Sequence, residues 1–93
     1  QSMDRHTAAR TDTVRTKLAK AIIDAAKQFG EKQPNGEIIL REKLTQGELA
    51  QRVGCTREAV NRALSELVPD ALEFHRGRIT IRNPKAIKRW ANA

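Results

Sequence analysis

A winged helix-turn-helix, mainly α with a small β-hairpin wing, is the fold class this sequence predicts. Three observations predict it. Residues 44–67, LTQGELAQRVGCTREAVNRALSEL, carry two helix starts separated by a glycine. Residues 72–81 alternate apolar and polar side chains about Arg76-Gly77. Ahead of both, residues 14–29 repeat apolar side chains at helical spacing.

Residues 1–13 are expected to be a tag remnant and linker, and residues 14–93 the winged-helix domain. Gln1 and Ser2 precede Met3, as a tag remnant would, and the rest of this stretch lacks apolar periodicity. Thr13 is the expected cap of the first helix. Val14, Leu18, Ile22, Ala25 and Phe29 then form an amphipathic stripe, and Gly30 is its stop signal. Glu31 to Gly36 holds Pro34, Asn35 and Gly36 and reads as a loop. Glu37 to Leu40 has β-branched residues and reads as a short strand.

Thr45 begins the next helix, with Glu48 at the spacing a capping box requires. Leu49, Ala50 and Val53 are its apolar side. Gly54 breaks the helix and supplies the permissive backbone of a sharp, closely packed turn. Cys55 is expected in that turn as a small buried hydrophobe. Thr56 caps a second helix, so that residues 56–67 form one unit ended by Pro69. Leu72, Phe74, Ile79 and Ile81 are the buried face of a hairpin. Asn83 caps a last helix opened by Pro84, in which Ala86, Ile87 and Trp90 are buried, Trp90 as a core anchor.

The second helix of the pair has two unlike faces. With Arg57 at zero on a helical wheel, Asn61 falls near ~40°, Ser65 near ~80°, Glu58 near ~100° and Arg62 near ~140°. Ala63, Leu67, Val60 and Leu64 fall between ~240° and ~340°. The second group buries. The first carries donors and acceptors that match base edges in DNA. A solvated charged face is the bland alternative. Its place after a capped helix and a glycine turn favours base reading.

At this point the sequence resembles a family. GCTREAVNRALSEL resembles the recognition segment of the Crp/Fnr transcription regulators. LEFHRGRITI resembles their wing, and LAKAIIDAAKQFG the helix that opens their DNA-binding domain. The resemblance covers about residues 14 to 90. It implies sequence-specific binding to double-stranded DNA, with helix 56–67 in the major groove. It also implies a half-site similar to TGTGA and a homodimer of a longer sensor protein.

Base reading is expected from Arg57, Glu58, Asn61 and Arg62. Arg57 and Arg62 can each clamp guanine O6 and N7, Glu58 can accept from cytosine N4, and Asn61 can add a contact to adenine. Ala59 stands where the family commonly has Thr, and Asn61 where it has Gly or Ser. Phosphate contacts are expected from Thr45, Gln46 and Thr56 at helix N-termini, and from His75, Arg76 and Arg78 on the wing. Lys85, Lys88 and Arg89 read as general surface charge. In the family the loop at 31–36 touches RNA polymerase in some activators; a plain connector is the alternative. Pro69 and Ala71 depart from the family pattern. Ala71 resists a positive φ, so the turn before the wing is expected to differ.

Composition agrees. Ninety-three residues allow one small domain, and the formal net charge of +7 favours a polyanionic partner. No apolar run approaches the ~20 residues of a spanning helix, so no membrane partner is expected. With a single cysteine, Cys55, no internal disulfide forms, and a cytoplasmic bacterial protein is the simplest placement. No nucleophile with its base, no phosphate loop and no metal-ligand spacing occurs, so no enzyme and no metal are expected. No cofactor is expected in this chain; the family's sensor domain, which lies outside it, takes a cyclic nucleotide or another effector. The rival reading is a winged helix used for protein–protein contact. It predicts an apolar exposed surface in place of the Arg-Glu-Asn-Arg face.

Overall fold

The computed structural model describes residues 2–92, with side chains from residue 14 onward. Helix α1 spans Ser2–Phe29. It passes through the expected linker and through Thr13, which is therefore inside the helix and not its cap. Residues 2–13 hold Met, Arg and Ala and neither Gly nor Pro, so nothing in them stops a helix. The stripe reads as expected from there on. Leu18, Ile22 and Ala25 are fully buried, Phe29 is buried and Val14 is half-buried.

A strand follows that the sequence reading missed. β1 (Gly30–Lys32) pairs antiparallel with β2 (Ile38–Leu40), Gly30 facing Leu40 and Lys32 facing Ile38. The expected loop at 31–36 therefore shrinks to the turn between these strands. Gln33 N donates to Glu37 O at 2.7 Å, Gly36 N to Gln33 O at 2.9 Å, and Glu37 N to Asn35 Oδ1 at 3.0 Å. GEK has no strand propensity; pairing with Ile38–Leu40 makes the strand.

The paired helices are α2 (Gln46–Val53) and α3 (Arg57–Leu67). The wing is β3 (Leu72–His75) and β4 (Arg78–Ile81), and α4 spans Pro84–Ala91. The four strands form one antiparallel sheet in the order β1-β2-β4-β3. The wing is thus the continuation of a sheet, since β4 pairs with β2 through Ile38–Ile81 and Ile39–Thr80. The mainly helical winged helix-turn-helix expected from the sequence is the observed fold.

One core joins these pieces. α1 packs against α2, α3 and α4. Ile22, Leu40, Leu49, Val60, Leu67 and Ile87 are among its fully buried side chains. Each contributes about 1.5–3 kcal/mol relative to exposure. The turn into the wing closes through Ala71. Its N–H donates to Leu67 O, and its carbonyl accepts from Arg82 N and Asn83 N. Ala71 is buried and Arg76 is the only non-glycine with positive φ among the described residues, so this turn is made without the conformation that an alanine resists. Trp90 is half-buried rather than a core anchor; the Arg15 guanidinium lies 4.8 Å from its ring centroid and pairs with Glu66.

Candidate nucleic-acid interface

Local hydrogen bonds set α2 and α3. The Thr45 hydroxyl accepts from Glu48 N at 3.1 Å, and Thr45 N donates to Glu48 Oε1 at 2.8 Å. The Thr45 backbone N–H first, and the Thr45 hydroxyl second, hold the Glu48 carboxyl below the ordinary carboxylate value. At the other end Gly54 takes φ 81°, ψ 41°, with its N–H on Ala50 O. A Cβ there would meet nothing within 4 Å. The expected close packing of this turn is absent; glycine is needed for its dihedral angle alone. Cys55 is half-buried rather than buried, with Sγ 3.5 Å from Thr56 O. Desolvation pushes its thiol pKa up, which keeps it neutral. Thr56 then caps α3, accepting from Ala59 N at 3.1 Å.

Val60, Ala63, Leu64 and Leu67 bury one side of α3. Arg57, Glu58, Asn61 and Arg62 are all exposed on the other. They form one arc but have different neighbours. Arg57 lies over the first turn of α2: a Cβ on Gly47 would stand 3.6 Å from its Nε and 3.9 Å from its Cζ. Asn61 also leans on α2, where its Oδ1 accepts from Gln46 Nε2 at 3.1 Å. Arg62 is on the opposite flank, at the lip of a cleft of about 590 Å³ between α1 and α3 that Val14, Lys17, Cys55 and Thr56 also line. Ser65 turns back on its own helix and donates to Asn61 O at 2.9 Å, so its hydroxyl is drawn away from the arc.

The wing tip is a two-residue turn with φ 52° at Arg76 and 82° at Gly77, closed by the pair His75–Arg78. Both positive values match the right-handed twist of the strands. His75, Arg76 and Arg78 are exposed. Leu44 N donates to Gly77 O at 2.7 Å. That bond ties the wing tip to the residue just before Thr45 and Gln46, which are distant from it in the chain. Lys43 lies at the same junction, exposed, with its Cβ 3.4 Å from where a Gly77 Cβ would be. The sequence reading missed it, because only the Leu44–Gly77 bond places it there. Thr56 stands apart, at the start of α3. Arg82, by contrast, has Glu73 at 3.4 Å and Glu37 at 3.9 Å and belongs to the sheet.

Among the described residues no three His, Cys, Asp or Glu side chains gather to hold a metal ion. No described helix is long and apolar enough to cross a membrane.

Comparison with known proteins places this arrangement. The model of the Crp-like helix-turn-helix domain matches residues 16–90. The CRP-like cAMP-activated global transcriptional regulator of Mycobacterium tuberculosis is 38% identical over 65 residues, 70% of this chain and 26% of that protein. The chain thus spans about a quarter of the length of this curated relative. The CO-dependent transcription factor CooA from Carboxydothermus hydrogenoformans superposes with a TM-score of 0.73 at 28% identity, over 83% of this chain and 36% of that one. A CRP/FNR-family transcriptional regulator from Thermus thermophilus has the same fold, with a TM-score of 0.73 at 24% identity, over 99% of this chain and 50% of that one. The chain belongs to the Crp-like helix-turn-helix domain family, whose members are DNA-binding domains of transcription regulators and not enzymes.

Proposed function

We propose that this chain is the output domain of a longer dimeric regulator and that it lays α3 in the major groove of double-stranded DNA. One observation carries the reading. An exposed arc of Arg57, Glu58, Asn61 and Arg62 stands beside a capped α2 whose N-terminus is tied to a basic wing tip. Arg57 and Arg62 clamp guanines and Glu58 accepts from cytosine, giving a half-site similar to TGTGA. His75, Arg76 and Arg78, with Lys43, meet phosphates beside the groove. Thr45 and Thr56 join them. The Thr56 hydroxyl accepts from a helix N–H, which leaves its own proton to donate to a phosphate, and Thr45 offers its place at the α2 N-terminus. Gln46 offers its backbone N–H at a helix N-terminus.

Two copies reading half-sites about 34–36 Å apart would supply the affinity that one half-site lacks. The effector, a cyclic nucleotide or another small molecule, binds a sensor region outside this chain, and the regulator works in the cytoplasm. The exposed turn in 31–36, with Lys32 beside it, is the proposed contact to RNA polymerase. An apolar interaction surface, as the protein–protein alternative requires, is not what the arc presents.

Selection from a random duplex pool, followed by titration of the selected site at two salt concentrations, tests this. Affinity should fall steeply with salt. Arg62→Ala should cost ~1–3 kcal/mol and relax preference at one guanine. A loss equal on every duplex would place α3 outside the groove. Lys32→Ala should leave DNA binding intact and lower transcription from a dependent promoter; unchanged transcription would make the turn a connector.

A further inference from the structure

Asn61 is the uncharged member of the exposed arc, and its amide bonds to α2. Its Oδ1 accepts from Gln46 Nε2 at 3.1 Å, across fifteen residues of chain. Gln46 is the first residue of α2 and half-buried. Beside it, Gly47 underlies Arg57, so α2's first turn supports two side chains of α3 that are one turn apart. An asparagine amide has two unlike corners: Oδ1 accepts, and Nδ2 carries two donors. Adenine is read by both corners together, Oδ1 taking the N6 proton and Nδ2 meeting N7. Oδ1 keeps a second lone pair, but its bond to Gln46 turns it toward α2, so the Nδ2 donors are the corner that faces a base.

We infer that Gln46 is a positioning residue that decides which base Asn61 reads. This rests on the reading that α3 enters the major groove. Held by Gln46, Asn61 presents donors and favours guanine or thymine on the strand it faces, since both offer acceptors there. Cytosine is disfavoured because its N4 group is itself a donor, and adenine keeps one bond of two.

Variants of Gln46 turn the amide predictably. A carboxylate only accepts, so Gln46→Glu must take the Nδ2 donors and swing Oδ1 toward the groove. Gln46→Leu frees both corners.

The test is selection from a random duplex pool with the 93-residue chain, the melting temperature of each variant being recorded alongside. At one base pair the parent should select guanine or thymine. Gln46→Glu should shift that base pair toward the bases that donate there, cytosine and adenine, by about three- to tenfold, the worth of one neutral hydrogen bond. Gln46→Leu should shift it toward adenine by about the same factor. In an Asn61→Ala background both shifts should vanish, which separates the effect from any phosphate contact that Gln46 makes itself. Gln46 variants that weaken every duplex alike, or a parent that selects cytosine there, would overturn the inference. Arg57→Ala and Arg62→Ala keep it distinct from the reading beneath it. If each relaxes a guanine while the Gln46 variants move nothing, the inference alone fails. If they too leave every position unchanged, α3 is not the reading helix.

Discussion

Gly30 follows the end of α1, and Gly54 follows the end of α2. A Cβ at Gly30 would stand 2.5 Å from Ala26 O and 2.8 Å from Ile38 Cγ2; at Gly54 it would meet nothing within 4 Å. The dihedral angles run the other way. Gly54 has φ 81°, and Gly30 is not among the residues of positive φ. One glycine lets β1 lie against the helix it has just left, while the other lets the chain reverse its hand in open space. The difference shows that a glycine stop signal in a sequence has two physical meanings, and that they predict different damage.

The largest expected effect tests the close approach. Gly30→Ala should destabilise the domain by ~2–3 kcal/mol, because a backbone oxygen cannot yield as a side chain can. Chemical denaturation measures it. A loss under ~0.5 kcal/mol, the ordinary surface value, would mean that β1 shifts freely. Gly54→Ala comes next, at ~1–2 kcal/mol for the left-handed conformation. Gly54→Asn should recover most of that, since asparagine tolerates this region. Alanine and asparagine that cost the same would contradict a purely dihedral role. Both Gly54 variants should bind DNA like the parent once corrected for the folded fraction.

Thr45→Ala should cost ~1 kcal/mol, the usual worth of an N-cap; it removes the hydroxyl's share in holding the Glu48 carboxyl low and leaves the larger share of the backbone N–H in place. The pH effect is smaller still, because Glu48 is exposed. A carboxyl whose folded pKa is depressed stabilises the fold above its unfolded value, here about 4.5, and that share is lost as pH falls through the lower folded value. Denaturation midpoints measured from about pH 6 to about pH 3 should therefore fall less steeply for Glu48→Gln than for the parent. Equal slopes would show that the capping box is not closed in solution.

What the sequence made legible was what forms between neighbours in the chain. The Thr45–Glu48 box, the Thr56 cap, the Arg76-Gly77 turn and the Asn83 cap each close within a few residues. The buried face of α3 came from spacing alone. The rest depends on contacts that no local pattern encodes. β1 exists because Ile38–Leu40 pairs with it. Gln46 reaches Asn61 across a whole helix, and Lys43 meets the wing only through the Leu44–Gly77 bond. The start of α1 was misjudged for a different reason. Residues 2–13 are polar and lack apolar periodicity, yet they contain no Gly or Pro to stop a helix.

The Leu44–Gly77 bond has a mechanical meaning as well. It fixes the distance between the wing tip and the first turn of α2, so the basic groups at either side act as the jaws of a caliper with a set gap. In the proposed complex the duplex, being the softer body, must fit that gap. Groove width varies with base sequence, and the energy of adjusting it varies too. Base pairs that no side chain touches then influence affinity through their stiffness.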